Sequence, residues 1–512
     1  MPAMLWIQVL LILVGLCLGV WGLLRLLETM RLNVSDEERR HLQAVRWRYV
    51  LLMGLGDTLV VFGIVLIILY PQAWREAFRP AEWRDPERIE RLRQQEFPEP
   101  TGQAQATDSA WPGWLGPNRN GISPERGLLE SWPEAGLKER ERWRVPIGSG
   151  YSSPIVVAGR VYVMDYRKPH ERLVCFDAAT GQLLGECSWR VEYRDVDTRW
   201  GGDYGPRATP VAEGKLVYAF GADGDLVCCE LEPRNGQLPV VWRKQLPKLF
   251  PPELPGTWWG WSISPLVTGD LLIVITGSPK GAVVAFDRIT GEVRWKALAD
   301  KPAYSSPVLA KMPVAPEREQ VIVLTAVQLA GLDKQTGEVL WTFPWTTQYD
   351  CNIATPIVSG NYVFISTDYG VGSALVEITR QADGQLRAEP VYQTRNYQNH
   401  FATSVLVGDR LYGFHGNTPA VLTCLDFRTG QTIWNARREV DKGCLLYADG
   451  RLIVFTENGE LVLVEPTKDS YVIRGRYRVF PDSRSTWAMP ALADGRLFVR
   501  DDRELVCLDL RR

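Results

Sequence analysis

Val284-Ala285-Phe286-Asp287-Arg288-Ile289-Thr290-Gly291-Glu292-Val293-Arg294-Trp295 states a phrase that this chain repeats. It returns as Gly331-Leu332-Asp333-Lys334-Gln335-Thr336-Gly337-Glu338-Val339-Leu340-Trp341 and as Cys424-Leu425-Asp426-Phe427-Arg428-Thr429-Gly430-Gln431-Thr432-Ile433-Trp434. A looser copy surrounds Asp177 and Gly181. In each, a short apolar run leads into Asp, Thr-Gly turns the chain, and in the three full copies a Trp follows. Asp accepts local backbone N–H groups and Gly tolerates positive φ, so the middle of the phrase is a turn. The alternating residues that end in Trp suit a β-strand. Each copy therefore reads as a hairpin, and hairpins at regular spacing mean a repeat fold.

A second phrase precedes each hairpin. It runs Tyr151-Ser152-Ser153-Pro154-Ile155-Val156, then Ala208-Thr209-Pro210-Val211, Ile263-Ser264-Pro265-Leu266, Tyr304-Ser305-Ser306-Pro307-Val308, Ala354-Thr355-Pro356-Ile357, Ala402-Thr403-Ser404-Val405 and Ala488-Met489-Pro490-Ala491, with a degenerate copy near Cys444-Leu445-Leu446. Gly turns and hydrophobic strands follow. Each unit is thus about four short antiparallel strands, and starts roughly 41 to 56 residues apart are blade length for a propeller. The expected fold is all-β, an eight-bladed propeller. Seven blades is the alternative, if the degenerate unit merges with a neighbour. The last unit ends at Leu505-Val506-Cys507-Leu508-Asp509-Leu510 without a Trp strand, so Trp143-Arg144-Val145 is expected to supply its outer strand and close the ring.

Composition agrees. The 512 residues carry 20 Trp, 45 Gly and 34 Pro, which suits many short strands and tight turns. Formal net charge is −2, so no general basic surface for nucleic acid exists. Cys175, Cys424 and Cys507 each stand two residues before a repeat Asp, as small buried residues at a tight strand position.

The N-terminal part differs. Residues 4–27 and 49–70 are almost wholly apolar and each is about long enough to span a bilayer as a helix. The first lacks the basic start of a signal peptide. Arg31, Arg39, Arg40, Arg46 and Arg48 lie between the two runs, which places that loop in the cytoplasm and the rest of the chain outside it. Asp85-Pro86-Glu87 starts a short charged helix, read as a solvated element, and 97–110 reads as a flexible tether. The organisation is then a transmembrane helical hairpin over 1–70, a charged helix and linker over 71–110, and a propeller over 111–512. The expected location is the inner (cytoplasmic) membrane, with the propeller extracytoplasmic.

The Ala-x-Asp-x-x-Thr-Gly-x-x-x-Trp pattern, met well at 285–295 and 424–434, resembles the tryptophan-docking repeat of pyrroloquinoline-quinone (PQQ) type β-propellers. That resemblance covers about residues 111–512. It implies that Asp177, Gly181, Asp287, Gly291, Trp295, Asp333, Gly337, Trp341, Asp426, Gly430 and Trp434 dock one blade on the next. The superfamily holds quinoprotein dehydrogenases and also non-catalytic scaffolds, including the outer-membrane assembly lipoprotein. The lead-in Trp111-Pro112-Gly113-Trp114-Leu115-Gly116-Pro117 looks like that of membrane-anchored or secreted PQQ-like repeat proteins of planctomycete-type bacteria.

Chemistry is sparse. The chain has four His, namely His41, His170, His400 and His415, and no spacing that marks a metal site. No Ser-His-Asp set is legible. A quinoprotein would need PQQ, a calcium-type cation and a catalytic Asp, and the adjacent Cys228-Cys229 lie inside a strand, where neighbouring side chains point to opposite faces. The residues that enter each innermost strand should instead ring one mouth of the central channel: Tyr151, Arg207, Trp261, Tyr304, Asn352, His400, Lys442 and Trp487. The run Thr257-Trp258-Trp259-Gly260-Trp261 belongs to the same face. Such a ring suits a polar ligand or a peptide. The reading is a membrane-anchored propeller that acts as a non-catalytic binding or assembly scaffold, with no catalytic residues, no resident cofactor and a protein partner on one face. The alternatives are a PQQ-dependent oxidoreductase with calcium and a ligand- or carbohydrate-sensing propeller.

Overall fold

The computed structural model describes residues 50, 82–94, 110–193, 205–253, 259–437, 439–483 and 486–512. Both apolar runs, apart from Val50, lie outside these residues, as does Trp258. Among the described residues no helix is long and apolar enough to cross a membrane. Residues Glu82–Arg512 form one unit.

Eight antiparallel sheets follow one another along the chain. Blade 1 runs from the strand Ile155–Val157 to Leu183–Arg190, blade 2 from Val211–Glu213 to Val240–Gln245, and blade 3 from Leu266–Thr268 to Val293–Ala297. Blades 4, 5, 6 and 7 start at Val308–Lys311, Ile357–Ser359, Val405–Val407 and Gly443–Ala448. Blade 8 holds Ala491–Ala493, Arg496–Arg500 and Glu504–Asp509, and takes its outer strand from Glu141–Pro146, with Trp143 opposite Cys507. The degenerate seventh unit is a full four-stranded blade, so the count is eight.

The opening phrase works as a turn. Asp287 Oδ1 accepts N–H bonds from Ile289 and Thr290 at 3.0 and 2.9 Å, Gly291 donates back to the Asp287 carbonyl at 2.8 Å, and Gly291 has φ 71°. Asp177, Asp333 and Asp426 repeat the pattern, with Thr180, Thr336 and Thr429 as donors. The Trp of one blade lies on the Thr-Gly turn of the next. The Trp295 indole donates to the Lys334 carbonyl at 2.9 Å and covers Gly337 so closely that a Cβ there would sit 2.6 Å from the ring. Trp143 does the same at Ala178 and Gly181 across the closure between blades 8 and 1.

Trp341 and Trp434 depart from this, because the next blades lack a Thr-Gly turn. Trp341 donates instead to Gln320 of its own blade at 2.7 Å, over Gly331. The Trp434 N–H is buried without a hydrogen-bond partner among the described residues, while its ring packs on Tyr412 and Tyr471.

The Ser-Pro phrase staples neighbouring blades near the axis. Its hydroxyls accept backbone N–H groups from the preceding blade: Ser264 from Thr209, Ser306 from Ser264, Thr403 from Thr355, and Ser153 from Met489 at 2.9 Å, which closes the ring. Burying four such donors without acceptors would cost about 1–3 kcal/mol each, so small hydroxyl residues suit these positions. Cys175, Cys424 and Cys507 are buried free thiols.

Two segments before blade 1 are integral to the ring. Trp111 pairs with Val156, Ala212 donates to the Pro112 carbonyl, Arg119 donates to the Ser264 and Pro265 carbonyls, and Ser123 donates to Tyr447. The lead-in therefore touches blades 1, 2, 3 and 7 and lies across the axis. The helix Pro86–Arg93 forms as the sequence predicts, with Asp85 accepting the Glu87 and Arg88 N–H groups at 3.1 Å. It is not a solvated element, however. Ile89 is buried among Tyr362, Phe364, Leu375 and Tyr392, Arg88 pairs with Glu377 at 2.7 Å and with Glu389, and Glu82–Arg84 adds a fifth strand to the outer edge of blade 5.

Candidate functional site

A cavity of about 640 Å³ occupies the end of the channel where the chain enters the innermost strands. Of the ten side chains named from sequence, Tyr151, Arg207, Trp259, Tyr304, His400, Lys442 and Trp487 line it. Trp261 and Asn352 do not. Trp261 turns between blades, where its indole donates to the Thr276 carbonyl at 3.3 Å and its ring packs on Phe220. Asn352 is fully buried and sews blade 4 to blade 5, donating to the Thr325 carbonyl at 2.7 Å and accepting from Thr367 at 2.9 Å. Repeat position placed both at the mouth, but side-chain direction took them into the seams.

The lining also holds residues that the entry positions do not include. Trp114 reaches it from the lead-in, its indole bonded to Thr355 Oγ1 at 2.9 Å. Tyr369, Asn417 and Glu457 come from the turns between the second and third strands of blades 5, 6 and 7. Each meets the entry residue of the following blade. His400 Nε2 lies 3.0 Å from the Tyr369 hydroxyl, Lys442 Nζ donates to Asn417 Oδ1 at 2.6 Å, and the Trp487 indole donates to Glu457 Oε1 at 2.8 Å. The sequence signal was available: these turns recur at one place in every repeat, though with different residue types.

The pairs fuse into a network. Lys442 Nζ also lies 3.2 Å from His400 Nδ1, 3.2 Å from Glu457 Oε1 and 4.8 Å from the centre of the Phe401 ring. An ammonium group only donates, so His400 Nδ1 accepts and Nε2 carries the proton given to Tyr369. Burial, reinforced by the Lys442 charge, pushes the His400 pKa down to about 3, so the imidazole is neutral at ordinary pH. Its lone pair is already taken, which leaves it poorly placed as a general base.

The rings form a nearly continuous belt. Tyr349 meets Tyr369 at 5.3 Å, Tyr369 meets His400 at 5.6 Å, His400 meets Phe401 at 5.8 Å and Phe401 meets Trp487 at 5.6 Å. Trp487 stacks on Tyr151 at 4.9 Å, and the Arg207 guanidinium stands 5.6 Å from the centre of the Tyr151 ring. Across the cavity Trp259 packs edge-on against Tyr304 at 5.5 Å.

Arg207 differs from Lys442. Its Nη1 donates to the Gly205 carbonyl at 3.1 Å, and among the described residues no carboxylate lies within ion-pair distance. Burial holds its pKa below the usual guanidinium range. The nearby carboxylate, Glu171, is fully buried and already committed. It accepts from Tyr193 Oη at 2.6 Å, Trp189 Nε1 at 3.0 Å and the Ala222 N–H at 2.9 Å, tying blade 1 to blade 2. Burial raises its pKa to about 7 against those three bonds.

A calcium-held quinone does not fit these residues. Among the described lining residues the carboxylate is Glu457, and its Oε1 serves Lys442 and Trp487. Among the described residues no three His, Cys, Asp or Glu side chains gather as a metal site. Cys228 and Cys229 are not among the described lining residues; they face Trp242 and Val240, where the partner strand bulges, and belong to different core clusters.

Comparison with known proteins places the fold in context. A family model described as "Outer membrane protein assembly factor BamB" matches residues 138–249, 239–472 and 418–511. The curated assembly factor BamB of Shewanella oneidensis is 24% identical over 274 residues, which span 51% of this chain and 63% of that protein, less than two thirds of its length. Among solved structures, BamB from Moraxella catarrhalis matches with TM-score 0.48 at 13% identity, over 72% of this chain and 99% of that one. A europium-containing methanol dehydrogenase matches with TM-score 0.40 at 12% identity, over 76% of this chain and 89% of that one.

Proposed function

The chain belongs to the family of the outer membrane protein assembly factor BamB, and we propose that it works as a non-catalytic binding or assembly scaffold. In this reading the apolar runs at 4–27 and 49–70 anchor it in the cytoplasmic membrane, the propeller lies outside the cytoplasm, and the aromatic funnel receives part of a protein partner. The observation that carries the reading is the chemical state of the funnel. His400, Lys442, Glu457 and Trp487 are bonded to one another, so the groups suited to acid-base work serve as structure. What faces the cavity is a belt of rings, the lining that binding sites use for contact area at low entropic cost.

Crosslinking of the full-length chain in its native membrane tests this. A partner whose crosslinks map to Tyr151, Trp259 or Trp487 is expected. A chain that stays uncrosslinked, yet oxidises alcohols or sugars when given PQQ and calcium, overturns it.

A further inference from the structure

We propose that the funnel holds a carboxylate subsite at Arg207, which takes a monoanionic ligand group carrying a flat ring beside it. The proposal rests on the binding reading above and names the chemistry that the partner segment presents.

The argument begins with charge. Among the described residues two cations line the cavity, Arg207 and Lys442. Lys442 is neutralised within the wall by Glu457 and further held by Asn417 and His400. Arg207 has no such counter-ion among the described residues, and its guanidinium donates to one backbone carbonyl, that of Gly205. Glu171 cannot move to it without releasing Tyr193, Trp189 and the Ala222 N–H. An unneutralised cation in a desolvated wall is costly unless a ligand completes it. Among the described residues the lining thus carries one uncompensated positive charge, which matches a single anionic group and not a polyanion.

Geometry selects the rest. A guanidinium presents a planar fork that fits a carboxylate. Arg207 stands against the Tyr151 ring, which stacks on Trp487, and Phe401 continues that wall. A carboxylate at Arg207 therefore has an aromatic surface directly beside it, with Tyr304 and Trp259 on the far side. A ring a few bonds from the carboxylate can lie on that wall and pair with its aromatic side chains. Two sources share this chemistry: a free aromatic acid, and an acidic residue next to an aromatic one within a peptide.

The test compares N-acetylphenylalanine with N-acetylphenylalaninamide by isothermal titration against the full-length chain in detergent micelles. The pair is nearly isosteric and differs in the charge and in the one carboxylate oxygen that becomes an NH2 group. The acid is expected to bind at least tenfold tighter than the amide, and Arg207→Gln is expected to erase that preference while Arg207→Lys keeps part of it. A capped acetyl-Ala-Trp-Asp-Ala-amide peptide, set against its Asn counterpart, identifies the peptide source if it shows the same Arg207-dependent preference. Equal affinity of acid and amide in the unmodified chain, or a preference that survives Arg207→Gln, overturns the subsite. Partner crosslinks together with equal affinities would sink the subsite alone. An Arg207-dependent acid preference without any partner crosslink would support the subsite and sink the scaffold reading.

Discussion

Glu171→Gln isolates one buried proton. Glu171 joins blades 1 and 2 behind the funnel wall, and burial raises its pKa from 4.5 to about 7. At about 1.4 kcal/mol per pH unit, that displacement corresponds to about 3 kcal/mol between the two protonation states. The direction follows from linkage. The folded chain holds this proton more tightly than the unfolded chain does, so folding is favoured by the full amount below about pH 4.5. The favour shrinks as pH rises and is gone above about pH 7. Gln stays uncharged at every pH, but its NH2 group replaces an oxygen that accepts an N–H from Ala222 or from Trp189 and cannot accept it, so the variant carries a pH-independent penalty. Its stability relative to the natural chain should therefore be lowest near pH 4.5 and rise with pH. Urea unfolding of both full-length chains in detergent, followed by Trp fluorescence at pH 5, 6, 7 and 8, measures the difference. The natural chain should lose about 1.4 kcal/mol per unit relative to the variant between pH 5 and 7, then level off. A difference that stays constant across the series would refute the reasoning, because it would mean that Glu171 is ionised in the folded chain throughout.

Two further outcomes follow from packing. Gly337→Ala and Gly450→Ala both place a Cβ at positive φ, 75° and 82°, but only the first meets a ring, Trp295 at 2.6 Å. Thermal or urea melts should show a loss of about 1 kcal/mol at Gly450, from backbone strain alone, and about 2–4 kcal/mol at Gly337, where overpacking adds to it. Ile89→Ala should loosen the helix Pro86–Arg93 from blade 5 without unfolding the ring. A loss of about 2 kcal/mol raises the undocked fraction about thirtyfold, so trypsin should cut after Arg88 or Arg91 correspondingly faster while blades 1–8 stay intact.

The ring was legible because the phrase recurs, and recurrence overrides the weakness of any single hairpin signal. Asp287, Gly291 and Trp295 carry their roles on their face: a side-chain acceptor, a residue for positive φ and a ring to cover it. The closing strand at Trp143 was legible by subtraction, since blade 8 lacked its outer strand. Side-chain direction was not legible. Trp261 and Asn352 occupy the same repeat position as Tyr151 and Lys442, yet their rings and amides turn into blade seams, where Thr276, Thr325 and Thr367 await them. Nor does the repeat tell Trp341 from Trp295. Trp295 donates to a turn carbonyl of the following blade, whereas Trp341, whose following blade has no Thr-Gly turn, donates to Gln320 of its own. The docking of 82–94 was hidden for another reason. One apolar residue, Ile89, among charged neighbours makes no pattern, and beyond the local Asp85 the acceptors of the Arg88 side chain are Glu377 and Glu389, about three hundred residues away.

The repeat nonetheless explains why the funnel is polarised. Each blade delivers an entry residue and, one blade earlier, a second-to-third-strand turn that it can reach. From blade 5 to blade 8 these turns supply Tyr369, Asn417 and Glu457, so His400, Lys442 and Trp487 each find a partner and that arc of the wall is chemically closed. Between blades 1 and 2 the turn is Lys168-Pro169, which offers Arg207 neither an acidic nor an amide side chain. The nearby acid, Glu171, is held one layer deeper by Tyr193 and Trp189. One fold rule, applied to unlike turn residues, thus produces a funnel that is self-satisfied on one side and short of an anion on the other. The repeating residues build the cylinder. The difference between Glu457 and Pro169 at equivalent turns decides where a ligand's charge is wanted.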